Sequence, residues 1–172
     1  DVTPHHLVLT DESLQSFDSN FKVDPPLRTQ EHIDTLIAGL KDGTIDAICS
    51  DHQPFAEEKK AVEVDLAPFG IVGLETLLPL CIKSLIEPGH LDWPQLIALL
   101  STGPERILKI DKGSLCSGVD ADVTLIDPDV SWIIDPADFR SQSRNTPFAG
   151  WNVRGRARMV IVGGQVRYRA NV

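Results

Sequence analysis

The apolar run Ile45-Asp46-Ala47-Ile48-Cys49 ends abruptly in Ser50-Asp51-His52, with Gln53-Pro54-Phe55 behind it. Carboxylates and imidazoles are the side chains most used for proton transfer. Asp51 and His52 are therefore the first candidates for chemistry. A plainer assignment also fits them: Asp51 caps the next segment and His52 hydrogen-bonds locally. A second pair, His5-His6, follows Thr3-Pro4. It stands where metal ligands or substrate contacts are found, although neighbouring histidines point different ways. One packed and hydrogen-bonded ring beside one exposed ring accounts for the pair better.

The elements that must position these residues can be read in order. The stretch from Gly43 to Cys49 is short and rich in β-branched residues, which suits a strand buried on both faces of a parallel sheet. Asp42-Gly43 launches it. Barrel and open α/β enzymes place their sites just past the C-terminal ends of such strands. Before it, Ile33, Leu36, Ile37 and Leu40 recur at helical spacing behind Thr29, a capping residue. Helix, short turn and buried strand form the repeating unit of α/β folds. Phe21 to Thr29 contains Pro25-Pro26 and reads as a stiff extended segment that fixes Asp24 and Arg28 in place.

Ala56-Glu57-Glu58-Lys59-Lys60 reads as a solvated charged loop. It runs on to Ala67-Pro68-Phe69-Gly70, where Gly70 allows a sharp turn. Gly73 to Glu87 reads as an apolar helix through Leu74, Leu77, Leu78, Cys81, Ile82 and Leu85, kinked at Pro79. Asp92 caps a further helix with Leu96, Ile97 and Leu100 on its inner face, and Pro104 starts a last short one. From about Asp111 the helical pattern stops. Ala121–Asp127 and Ser131–Ile134 read as two strands, and Met159–Tyr168 as a tight hairpin around Gly163-Gly164. The division is thus 1–111 and 112–172. The strands of the second part cannot bury a good core alone. Arg154, Arg156 and Arg158, with Arg167 and Arg169, form either a basic patch for an acidic partner or a solvated sheet face.

The 172 residues suffice for one domain with a sizeable core or a domain with a small appendix, and the hydrophobic content of 42% is ordinary. A formal charge of −9 argues against a nucleic-acid partner or an anionic membrane surface. No apolar run reaches transmembrane length. Cys49, Cys81 and Cys116 are widely spaced and show no zinc pattern, which suits a reducing cytosol. The chain opens at Asp1 as though entered in the middle of a fold, and a fragment is the expectation.

A set of motifs stands in a telling order: Thr3-Pro4-His5-His6-Leu7, Lys22-Val23-Asp24-Pro25-Pro26-Leu27-Arg28, Asp42-Gly43-Thr44-Ile45-Asp46, Ser50-Asp51-His52, Ala67-Pro68-Phe69-Gly70-Ile71 and Gly73-Leu74-Glu75-Thr76. Gly118-Val119-Asp120-Ala121-Asp122 and Asn145-Thr146-Pro147-Phe148 follow. The ordered set resembles bacterial class I dihydroorotases of the amidohydrolase superfamily. The histidine pair favours that family over hydantoinases and allantoinases.

The resemblance implies an α/β fold: the C-terminal part of a (β/α)8 TIM-type barrel at 1–111, and the C-terminal strands of a small β-sandwich domain at 112–172. It implies a zinc-dependent, reversible cyclisation of N-carbamoyl-L-aspartate to dihydroorotate in cytoplasmic pyrimidine biosynthesis. Most zinc ligands would lie upstream, in a missing N-terminal part. Asp51 matches the barrel-end aspartate that touches the metal and shuttles the proton from nucleophile to leaving nitrogen. Phe69 and Gly70 match positions whose backbone holds the substrate ring. Asp24 and Phe55 match substrate contacts that are usually Asn and His, so they depart from the pattern. Two alternatives follow from those departures. One is a non-catalytic dihydroorotase-like subunit supporting aspartate carbamoyltransferase. The other is a different cyclic amidase.

Overall fold

The computed structural model describes residues 1–170. The helical pattern after Thr29 folds as expected into α1 (Gln30–Asp42), which buries Ile33, Ile37 and Leu40 on one face. Thr29 occupies the N-cap position, but its hydroxyl pairs with Nδ1 of His32 at 2.8 Å and with no backbone N–H.

The expected strand from Gly43 to Cys49 shortens to one parallel bridge, Val2 with Ile48. Its flanking bonds are Val2 N–H to the Ala47 carbonyl (3.1 Å) and Cys49 N–H to the Val2 carbonyl (3.0 Å). The limit lies in the partner. Pro4 opens a 3-10 turn, Pro4–Leu7, so the chain leaves the ladder directly after Val2. A second parallel bridge, His52 with Ile71, continues the arrangement on the far side of Asp51.

Ala56 to Lys59 are exposed, as expected, but the stretch to Lys60 is not a loop and its last residue is not solvated. It holds one helical turn, α2 (Glu57–Lys60), and Lys60 is buried. α3 (Leu77–Cys81) continues into a π turn, Ile82–Ile86. Pro79 lies in the first turn of α3, where a missing N–H breaks no helical bond, and the irregularity comes after it, in the π turn. Leu74, expected on the apolar face, precedes the helix and is 61% exposed. α4 (Trp93–Ile97) starts in a capping box: Asp92 Oδ1 accepts from Gln95 N–H, and Gln95 Oε1 accepts from Asp92 N–H. A π turn, Ala98–Thr102, carries it into α5 (Gly103–Leu108). Leu96 is fully buried, but Ile97, expected inside, is 39% exposed.

Where two strands were expected after Asp111, one long strand runs through, β1 (Val123–Ile133), with its register broken between Asp127 and Ser131. The irregularity absorbs Pro128, which cannot donate to a ladder. β2 (Asn152–Val162) and β3 (Gln165–Arg169) complete an antiparallel sheet of order β1-β2-β3, with the expected hairpin between the last two. The arginines of β2 are engaged within the sheet. Arg154 pairs with Asp129 at 2.8 Å, Arg158 with Asp127 at 3.7 Å, and Arg156 lies over the Trp132 ring at 4.6 Å.

Two apolar clusters hold the chain together. In the first, α1 packs through Ile33, Ile37 and Leu40 on Val2, Ile48, Cys81, Leu85 and Leu96. The second draws Leu9, Val23, Leu27, Ile71, Val72 and Leu80 onto Ile134, Phe139, Phe148 and Val153. It joins residues from both sides of position 111. The sheet also meets the π turn after α3 at Gly155, whose φ is +83°. A Cβ there would overlap Cδ1 of Ile82, so the close approach depends on the glycine.

Candidate active site

Asp51 stands in the left-handed region, with φ +45°. Few residues other than glycine adopt it, and Asp and Asn do so most readily. The turn ends the apolar run and starts the next pairing. Asp51 Oδ1 accepts from Gln53 Nε2 at 2.8 Å, so the carboxylate caps no backbone N–H. His52 Nδ1 accepts from the N–H of Gly73 at 3.2 Å. A backbone N–H can only donate, so the neutral ring carries its proton on Nε2. His52 thus takes the local role weighed against chemistry, while Asp51 keeps a second oxygen free of protein partners among the described residues.

Gln53 ties this turn to the Phe69–Gly70 turn. Its N–H donates to the Ile71 carbonyl at 2.8 Å. Gly70 has φ +109°, and a Cβ there would overlap the Gln53 side chain. Lys60 holds the same turn from beneath, donating to the carbonyls of Pro68 (3.0 Å) and Gly70 (3.1 Å). Burial pushes the Lys60 ammonium down to about 8, with Asp18 opposing the shift and Lys22 adding to it. Ser19 donates to the carbonyl of Lys60. The ammonium of Lys22 lies 4.6 Å from the centroid of the half-exposed Phe69 ring. Gly70 N–H donates to the Lys22 carbonyl at 2.9 Å, and Asn145 Nδ2 reaches the Gly70 carbonyl at 3.3 Å. Both backbone groups of Gly70 are thereby engaged. Of the pair singled out for the substrate ring, Phe69 is the one whose peptide N–H and C=O have no partner among the described residues.

Asp24 is exposed and joins no ion pair among the described residues. Its segment nevertheless runs beside the Phe69–Gly70 turn through Lys22. Phe55 is half-buried and lines a cleft of about 470 Å³ with Asp18, Asn20, Lys60, Arg144 and Asn145. The structure thus groups Asp51, Gly70 and, through their neighbours, Phe69 and Phe55. Asp24 stays at the edge. Sequence reasoning missed Gln53, Lys60 and Asn145. Of these, only Asn145 carried a signal, as part of Asn-Thr-Pro-Phe.

The histidine pair forms a chain with Thr3. Pro25 carbonyl accepts from His6 Nε2 at 2.8 Å; the Thr3 hydroxyl lies 2.6 Å from His6 Nδ1 and 3.0 Å from His5 Nε2. With neutral rings the direction is fixed: His5 donates to Thr3, Thr3 to His6, and His6 to Pro25. Burial, and secondarily His6, pushes His5 down to about 3. An unfolded His5 takes a proton near 6.5, so the unfolded state binds more protons in between. Stability should therefore fall by about 1.4 kcal/mol per pH unit as pH drops from about 6.5 towards about 3. Denaturant melts across that window check this: His5→Gln should flatten the slope relative to the parent, and parallel slopes would refute it.

A catalytic zinc takes three protein ligands. Among the described residues no three His, Cys, Asp or Glu side chains come together to hold an ion. Asp51, with one oxygen already bonded to Gln53, does not make a zinc site with these neighbours.

Residues 6–167 match the model of the amidohydrolase family, and the chain belongs to that family. It is 48% identical over 170 residues to a dihydroorotase of Geobacter sp. (strain M21), covering 99% of this chain and 40% of that protein. A dihydroorotase of Pelotomaculum thermopropionicum (strain DSM 13744 / JCM 10971 / SI) is 49% identical over 166 residues, covering 96% and 39%. Among solved structures, L-hydantoinase from Arthrobacter aurescens superposes with a TM-score of 0.91 at 31% identity, covering 97% of this chain and 38% of that one. Dihydropyrimidinase from Brevibacillus agri NCHU1002 gives 0.89 at 27% identity, with the same coverage. The chain spans about two-fifths of the length of the curated relatives it matches.

Proposed function

We propose that this chain is the C-terminal part of a dihydroorotase that interconverts N-carbamoyl-L-aspartate and dihydroorotate in pyrimidine biosynthesis. The supporting observation is near-50% identity to dihydroorotases along almost the whole chain. In this reading, 1–111 supplies the last part of a (β/α)8 barrel and 112–172 the end of a small β-sandwich. Zinc belongs to the complete site, with most ligands outside this chain. The free cysteines Cys49, Cys81 and Cys116 fit a cytoplasmic setting. No helix of the described residues is long and apolar enough to cross a membrane.

Within this chain, Asp51 offers its unbonded oxygen to take the proton from the attacking water and return it to the leaving ring nitrogen. Phe69 presents its peptide groups to the ring. Asp51 and the Phe69–Gly70 turn are held in register by Gln53, so proton transfer and ring binding share one rigid frame. Assay of the full-length protein for ring opening of dihydroorotate tests the proposal directly. Absence of turnover in a zinc-loaded preparation would sink it.

A second reading is supported by Asp24 and Phe55: a non-catalytic subunit that partners aspartate carbamoyltransferase. Asp24 is an exposed carboxylate in a segment adjoining the ring-binding turn, and it would repel a substrate carboxylate bound beside it. Phe55 lacks the donor that a His would supply. Asp24→Asn with Phe55→His in the full-length protein should tighten dihydroorotate binding at least about tenfold, equivalent to roughly 1.4 kcal/mol. Direct affinity is the readout, because a non-catalytic subunit has no KM and an active enzyme's KM tracks binding only when chemistry is slow. Tight binding by the parent, weakened by the double change, would make both departures adaptations of a working enzyme and remove the support for the second reading.

A further inference from the structure

Asn145 lies far along the chain from Asp51 and Gly70, yet its side chain reaches both of their turns. It is 5% exposed. Its Nδ2 donates to the Gln53 carbonyl at 2.9 Å and to the Gly70 carbonyl at 3.3 Å. Its Oδ1 accepts from Phe55 N–H at 3.2 Å. Its own carbonyl accepts from Val72 N–H at 3.0 Å. One residue therefore satisfies backbone groups on both sides of the seam between residues 53–55 and 70–72. Both amide protons and the amide oxygen are used, and none of these bonds survives a slip of one segment past the other.

We propose that Asn145 is a positioning residue that fixes the separation between the Asp51–Phe55 segment and the Phe69–Gly70 turn. For its effect on substrate, the inference rests on the dihydroorotase reading above. The chemistry requires a carboxamide. A carboxylate keeps the acceptor for Phe55 but sets oxygen against the carbonyls of Gln53 and Gly70. A methyl loses all three side-chain bonds. Gln53 transmits the consequence, since its carbonyl is held by Asn145 while its amide holds Asp51 Oδ1. A change at 145 moves the proton carrier relative to the ring contacts without touching Asp51 or Phe69.

The test compares Asn145→Ala, Asn145→Asp and the parent in the full-length, zinc-loaded protein. Two readouts are needed: steady-state kinetics on dihydroorotate, and hydrogen exchange resolved at the Phe55 amide. In the parent that amide should be protected relative to the exposed neighbouring Ala56. Asn145→Ala should lose the protection and Asn145→Asp should keep it. Both variants should lower kcat/KM by on the order of 10²-fold, with KM rising about tenfold, as expected when a substrate is held at the wrong separation. A purely structural Asn145 would lower the melting temperature and the active fraction with KM unchanged, and that result overturns the proposal. An unprotected Phe55 amide in the parent overturns it without any variant. A parent that opens no dihydroorotate ring defeats the functional reading instead, and the Phe55 exchange pattern then decides the clamp alone.

Discussion

The 172-residue chain alone should turn over no dihydroorotate, with or without added zinc. The expectation follows from the donor set. Asp51 is one carboxylate with one oxygen already committed to Gln53, and no three ligating side chains converge among the described residues. A zinc centre that activates water needs about three protein ligands and an open position. The loss should be complete, whereas the full-length protein assayed beside it should be active. Turnover that scales with the concentration of the purified chain, and disappears with Asp51→Asn, would show that the chain assembles a site unaided and would overturn this account.

Asp51→Asn in the full-length protein should lower kcat by on the order of 10²–10⁴-fold while leaving the fold intact. The substitution isolates the proton. An Asn oxygen still accepts from Gln53 Nε2, and Asn is among the few residues at ease at φ +45°. Ala at this position would mix backbone strain with lost chemistry. What Asn cannot do is accept a proton and give it back. Melting temperature and zinc content measured on the same preparation separate chemistry from assembly. A folded, metal-loaded Asp51→Asn with near-parent kcat would remove Asp51 from the mechanism.

Elements set by local signals were legible in the sequence. The spacing of Ile33, Ile37 and Leu40 announced α1, Asp92 announced the start of α4, and Gly163-Gly164 announced the β2–β3 hairpin. Each depends on residues within a turn or two of itself. The misread elements depend on distant partners. Lys60 looked solvated because four charges stand in a row, yet Pro68 and Gly70 supply carbonyls that let it be buried. Ile97 fits an inner face by spacing, but Leu96 takes the core position. The length of the strand before Asp51 was set by Pro4, on a different segment. In the site, residue types pointed to Asp51 and His52, and geometry added their partners, the Gln53 amide for one and the Gly73 N–H for the other. Asn145 lay within a quoted motif, but nothing local shows that it spans two turns.

Gly155 and Ile82 occupy one volume between them. The glycine conformation that lets β2 approach the π turn leaves room for the δ-methyl of Ile82 and for nothing more. A carbon gained at position 155 must displace the Ile82 δ-methyl, by a new rotamer or a shorter residue, and the positive φ still has to be tolerated. A side chain gained at 155 thus asks for a smaller or reoriented one at 82, whereas a smaller residue at 82 asks nothing of 155.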